Sequence, residues 1–203
     1  HSFSCIWFWI YMGKYPYKMG YNGLKKSWIF PGQASQFVGM GKDLFDRTDI
    51  GKKYYNLAND ILEVDIQDIS FNGPEEKLKI TKYTQPAIFI VSSVISHLLI
   101  ENGYMPSCVA GHSLGEYSAL TAAGGISFET GLELVKIRSN SMDKAGITNP
   151  GTMAAIIGLN MDSVVKLANS IKTNEVVVAA NHNTENQIVI SCLLYTSDAA
   201  DDP

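Results

Sequence analysis

Ser107-Cys108-Val109-Ala110-Gly111-His112-Ser113-Leu114-Gly115-Glu116-Tyr117-Ser118-Ala119-Leu120-Thr121-Ala122-Ala123 is the stretch whose reading decides the fold. Its first four residues are a short apolar run that reads as a strand. From Glu116 onward it reads as a helix. Between them stands Gly-x-Ser-x-Gly, and that pattern at a strand-to-helix junction predicts a nucleophile elbow. In so tight a turn the residues two before and two after the serine crowd each other, and glycine at both places removes the clash. The serine is then pushed out above the sheet, beside a helix N-terminus with free N–H groups. An alcohol there can attack an acyl carbonyl while backbone amides hold the oxyanion. The same five-residue pattern also occurs by chance in loops; the flanking strand and Ala-rich helix separate the two readings here.

Working outward, Trp28-Ile29-Phe30-Pro31-Gly32-Gln33-Ala34-Ser35-Gln36 reads as a second short strand running into a Pro-Gly loop. Together with Gly111-His112-Ser113-Leu114-Gly115-Glu116-Tyr117-Ser118-Ala119-Leu120 it closely resembles the malonyl-CoA:acyl carrier protein transacylases of fatty acid synthesis, in the acyltransferase domain family. Thr84-Gln85-Pro86-Ala87, the segment around Arg138, Met153 to Gly158, and Asn183 to Ser191 extend the resemblance over residues 25–191. One departure is visible. The family pattern is Gly-Gln-Gly-Ser-Gln, and Ala34 stands at its middle position. If that position needs positive φ, Ala34 strains the loop that carries Gln33.

Composition narrows the classes. A chain of 203 residues with 46% hydrophobic and 18% charged residues has enough apolar material for a core in one domain, or one domain and a small appendage. A net charge of −4 without a Lys/Arg cluster argues against nucleic acid and anionic membrane as partners. Cys5, Cys108 and Cys192 are odd in number and lack metal-type spacing; Cys108 reads as a small core residue. Nothing demands an oxidising compartment, so a cytoplasmic protein is expected.

Both ends look foreign to the fold. The aromatic-rich residues 1–18 show neither helical nor strand period, are too short to span a membrane and make a poor signal peptide. Met19 is a candidate start, and residues 1–24 are set aside as a non-native leader. Residues 192–203 leave the family pattern abruptly and are set aside as a foreign tail.

Between them, residues 25–148 form the expected larger α/β core. Trp28–Phe30 is its first strand, and amphipathic stretches follow near Gly41–Phe45 and Lys52–Leu62. A helix starts at Pro74-Glu75-Glu76. A buried helix, apolar on nearly every face, covers Gln85–Glu101 and ends at Gly103. After the elbow strand and its helix, Ser127 caps a helix over Phe128–Ala145, with Thr130 as a rival cap. Strands alternating with helices imply a parallel α/β sheet of hydrolase-like type. Residues 149–191 then read strand (Thr152–Leu159), helix (Met161–Ile171), strand (Glu175–Ala180), strand (Gln187–Ser191). The resemblance implies a ferredoxin-like subdomain here, incomplete because the chain stops before its last helix and strand. An unpaired sheet edge and poor solubility are expected on that reading.

Arg138 lies on a helical face with Leu134, Val135, Ser141 and Met142. A guanidinium beside an apolar stripe needs a partner: an internal Asp or Glu, solvent at the stripe's edge, or a ligand anion. The resemblance implies the last, the free carboxylate of a malonyl group gripped bidentately. It also implies that Ser113 is the nucleophile, and that the backbone N–H groups of Gln33 and Leu114 form the oxyanion hole. The partners implied are malonyl-CoA and acyl carrier protein. No metal or redox cofactor is called for. The base is open: His1, His97, His112 and His182 are poor candidates, and the family's histidine comes from a later segment, so this fragment is expected to be inactive. A serine esterase or lipase-type hydrolase shares the elbow but gives no reason for Arg138. An acyltransferase module of a polyketide synthase is the other alternative.

Overall fold

The computed structural model describes residues 8–11, 26–171 and 176–193. The rest of the leader (1–7, 12–25) and residues 194–203 of the tail lie outside the described residues. The chain divides into two compact units between Asp143 and Lys144.

In the larger unit, β1 (Phe8–Tyr11), β2 (Ser27–Phe30) and β3 (Cys108–Gly111) form a sheet in the order β1-β3-β2. The β2–β3 pair is parallel, with Ser27 opposite Cys108 and Phe30 opposite Gly111. Their carboxyl ends are therefore level, and the loops that leave them are neighbours. Sequence reading excluded residues 8–11 from the fold; they pair antiparallel with β3. Their backbone groups satisfy the ladder on the side of β3 that β2 leaves open.

Between β2 and β3 run five helices: α1 (Lys42–Arg47), α2 (Asp49–Leu62), α3 (Ile66–Asn72), α4 (Glu75–Leu78) and α5 (Thr81–Glu101). Sequence reading passed over α3, a short helix started by Asp65, whose carboxylate accepts from Asp68 N–H at 2.8 Å. α5 also begins four residues before the expected Gln85, because its first turn is polar and falls outside the apolar run. The helix begins at Thr81 and carries Pro86 inside it, while the Thr84 hydroxyl donates to the carbonyls of Leu78 and Ile80. Among the described helices α5 is long and apolar enough to cross a membrane, yet Ala87, Phe89, Ile90 and Val94 are fully buried within this unit.

After β3 come α6 (Gly115–Ala122) and α7 (Phe128–Thr148). The Ser127 hydroxyl accepts from Thr130 N–H at 3.1 Å, so Ser127 is the cap. The buried stripe of α7 is Phe128, Gly131, Leu132, Val135 and Ser139, while Leu134 and Met142 are largely exposed. The expected apolar stripe through Arg138 is thus rotated, and Arg138 stands at the edge of the buried one. One apolar cluster joins α2, α3, α5 and α7 through Tyr55, Ile66, Ile69, Phe89, Ile90, Leu132 and Val135, with Leu114 among them. Another packs Phe30 and Val109 of the sheet against Ala119 and Ala122 of α6.

The second unit holds β4 (Gly151–Ile157), α8 (Met161–Ser170), β5 (Val177–Thr184) and β6 (Gln187–Leu193). Its sheet is antiparallel in the order β4-β6-β5. Cys192 and Leu193, read from the sequence as tail, belong to β6 and pair with Thr152 and Gly151. The architecture is α/β, with a parallel pair in one sheet and a separate antiparallel sheet.

Candidate active site

The turn from β3 into α6 is built by close backbone approach. A Cβ on Gly111 would collide with the carbonyl of Gly115, and a Cβ on Gly115 with the carbonyls of Phe30 and Pro31. Only glycine admits that packing, which presses the start of α6 against the carboxyl ends of β3 and β2. The turn is closed by Gly115 N–H on His112 O at 2.9 Å and Glu116 N–H on Ser113 O at 3.2 Å. Between the glycines Ser113 adopts φ 55, a left-handed conformation rare for a non-glycine residue. Such strain persists only where the surroundings impose it.

Three elements meet at that hydroxyl. Arg138 of α7 donates from Nη2 to Ser113 Oγ at 2.8 Å and from Nη1 to Gln85 Oε1 of α5. Its partners are thus two neutral oxygens. Gln85 is buried, and its Nε2 also lies 3.3 Å from Met142 Sδ and 3.5 Å from Gln33 Oε1. Gln33 Nε2 donates to Thr81 Oγ1 at 3.2 Å. The loop after β2 is therefore tied to α5 beside the serine. In that loop Ala34 has φ 83, the positive value the Gly-to-Ala departure raised as a question. Gly32 packs against the backbone and ring of His112, where an added Cβ would lie 2.9 Å from His112 O.

Leu114 precedes the first turn of α6 with its side chain in the core. Among the described residues, neither its N–H nor that of Gln33 makes a hydrogen bond. Glu116, in the first turn of α6, has its carboxyl pushed up by burial; the charges of Arg138 and His112 oppose that shift. Of the histidines, His97 is held by Tyr54 OH at 3.1 Å and Glu101 at 3.1 Å, as a structural residue. His182 is on β5 of the second unit, and His1 lies outside the described residues. The site includes two residues to which sequence reasoning gave no role, Gln85 and Glu116. A glutamine directly before the apolar run Pro86-Ala87-Ile88-Phe89-Ile90-Val91 was the available signal for the first.

A strained serine at the carboxyl end of a parallel strand, with a guanidinium on its oxygen, defines an α/β protein with a polar site at a strand-to-helix turn. Such sites collect at the carboxyl ends of parallel strands because the loops there converge. The profile of the acyl transferase domain matches residues 27–196, and the chain belongs to that family. It is 44% identical over 168 residues to the malonyl CoA-acyl carrier protein transacylase of Synechocystis sp., covering 83% of this chain and 55% of that protein. It is 38% identical to the one of Bacillus subtilis, covering 82% and 53%. Among solved structures it resembles a malonyl CoA-acyl carrier protein transacylase from Coxiella burnetii, with TM-score 0.79, 36% identity and coverage of 87% of this chain and 56% of that one. It also resembles a malonyl-transacylase in complex with a type II PKS acyl-carrier protein, with TM-score 0.79, 36% identity and coverage of 87% and 58%. The chain spans about half the length of the curated relatives it matches.

Proposed function

We propose that the protein moves a malonyl group from malonyl-CoA, through an ester on Ser113, to the phosphopantetheine thiol of acyl carrier protein in fatty acid biosynthesis. The observation that carries the proposal is the guanidinium of Arg138, 2.8 Å from Ser113 Oγ. In a malonyl-serine ester the free carboxylate sits three bonds from Oγ, within the same guanidinium's reach. An acetyl group offers nothing there. The relatives' names support the same reading.

On this reading Gly111–Gly115 is a nucleophile elbow. Ser113 Oγ attacks the thioester carbonyl, and its proton passes to a histidine supplied from outside residues 1–203. The N–H groups of Gln33 and Leu114 receive the oxyanion. Each such donor typically contributes about 3 kcal/mol to the transition state. The intermediate collapses with loss of the CoA thiolate, which is protonated. The carrier's thiol then attacks the ester carbonyl and restores the Ser113 hydroxyl. Every step is acyl transfer without a change of oxidation state, so no cofactor is assigned and CoA enters as part of the substrate. The free thiols Cys108 and Cys192 fit a cytoplasmic location.

We also propose that residues 25–148 belong to an acyltransferase core, which β1 joins, and residues 149–191 to a ferredoxin-like part, which Cys192 and Leu193 extend. The strand order β4-β6-β5, with α8 crossing between β4 and β5, supports the latter as three strands of that fold. A polyketide carrier is the second reading of the acceptor, favoured by the neighbour whose partner is a type II PKS acyl-carrier protein.

The test uses this chain extended to the full length of its relatives. Mixed with malonyl-CoA, it should show a malonyl adduct by intact mass, absent from Ser113→Ala. Arg138→Ala should slow malonyl loading by about tenfold to a hundredfold relative to acetyl loading, the loss expected for a charge-assisted pair. Equal loss for both donors would remove the carboxylate assignment. Release of free malonate without a carrier would make the protein a hydrolase.

A further inference from the structure

Gln85 sits on α5, one helical turn from Thr81, so both side chains share a face. It is 1% exposed, and a buried primary amide is costly unless its hydrogen-bonding capacity is used. Gln85 spends that capacity on the site. Its Oε1 accepts from Arg138 Nη1, while its Nε2 faces Gln33 Oε1 at 3.5 Å and Met142 Sδ at 3.3 Å. The assignment of the amide follows from its neighbours: flipped, its NH₂ would face the guanidinium, which has no acceptor.

We propose that Gln85 is a positioning residue that aims Arg138 and thereby sets the preference for acyl donors with a free carboxylate; this rests on the acyl-transfer function proposed above. The reasoning is geometric. A guanidinium is a planar fork, so fixing Nη1 on Gln85 fixes where Nη2 points, and Nη2 points at Ser113 Oγ. A neutral amide does this without discharging the arginine. A carboxylate at position 85 would hold the fork equally well but would compete with the substrate's own carboxylate. The same α5 face, through Thr81 and Gln85, tethers Gln33. Thr81 keeps that second tie if Gln85 is changed, so the main consequence of losing Gln85 falls on Arg138.

Two variants of the full-length protein test this, with initial rates of acyl-Ser113 formation from malonyl-CoA and from acetyl-CoA as the readout. Gln85→Leu keeps the size and removes the acceptor. Malonyl loading should fall about tenfold or more, through KM, as for loss of one hydrogen bond to a charged group, while acetyl loading stays within about threefold. Gln85→Glu keeps the acceptor and adds a charge, and should also raise KM for malonyl-CoA selectively. It keeps the test alive if the leucine variant does not fold. If the parent protein loads malonate but either folded variant loses both donors in proportion, or loses neither, Gln85 is structural and the inference is overturned while the acyl-transfer function stands. If the parent forms no adduct from either donor, both fall.

Discussion

Ala34 carries φ 83, a region in which an L side chain with a Cβ is disfavoured by about 1–2 kcal/mol. Glycine there loses more entropy on folding, a cost of about 0.5–1 kcal/mol. The difference leaves Ala34→Gly more stable by about 0.5–1 kcal/mol, readable as a rise of a few degrees in Tm. An unchanged or lower Tm would mean the loop relaxes its strain elsewhere. Glu116 yields a pH dependence whose sign follows from its surroundings. Burial raises its carboxyl pKa above the ordinary 4.5, and the charges of Arg138 and His112 offset this only in part. A carboxyl raised on folding contributes stability that is complete below the unfolded value and lost as pH rises through the folded one. Once the carboxyl ionises, the parent protein therefore bears the cost of a partly buried charge, which Glu116→Gln lacks. Denaturant unfolding should show Glu116→Gln gaining on the parent as pH rises above the ordinary 4.5 and through the raised folded value, with no further gain beyond it. A stability difference that does not move with pH would show that the Arg138 and His112 charges fully compensate the burial.

The turn from β3 into α6 is the element on which the site depends, and its tolerance can be stated. Gly115→Ala puts a methyl group onto the carbonyls of Phe30 and Pro31, both parts of the main chain that cannot swing aside. Overpacking of that kind costs about 1–3 kcal/mol or more, and relief here requires α6 to move away from β2. The expected outcome is a lowered Tm together with loss of acyl loading at Ser113; a variant that keeps both would show the close approach to be dispensable. This turn was legible in the sequence because its determinants are local: two glycines, a strand before them and a helix after. Other elements were less legible for equally physical reasons. Pro86 suits a helix start, yet α5 begins at Thr81, and its first turn is tied back by the Thr84 hydroxyl, which donates to the carbonyls of Leu78 at the end of α4 and of Ile80. The short α3 owes its place to the apolar cluster it joins and to Asp65. The partners of Arg138 lie 53 and 25 residues away in the chain, on elements whose relative placement no periodicity encodes. Sequence alone could say that the guanidinium needs a partner; the fold gives it neutral hydrogen-bond partners, with the Glu116 carboxyl in electrostatic reach.

At the scale of the whole molecule, the β-sheet of the larger unit ends at β2 among the described residues. Ile29, in the middle of that strand, is 62% exposed, and Phe37 in the loop beyond it is 64% exposed. Between the strand and α5 lies a cavity of about 630 Å³, lined by Trp28, Ile29, Phe37, Val91, Ile95 and Leu99. A strand at a sheet edge beside an apolar groove is a template for pairing with another chain, since an edge offers ladder hydrogen bonds and the groove buried area. A net charge of −4 over 203 residues gives little repulsion to oppose this. The isolated chain should therefore associate, with a light-scattering mass that rises with protein concentration. Ile29→Lys places a charge on the edge where it can reach water, as natural edge strands often do. It should lower the associated fraction without lowering Tm, because an exposed side chain contributes little to the folded core. A parent chain that remains monomeric at all accessible concentrations would mean that the β2 edge is protected in solution. Association that Ile29→Lys leaves unchanged would move the contact to another surface, with β4 and β5, the edge strands of the second sheet among the described residues, next in line.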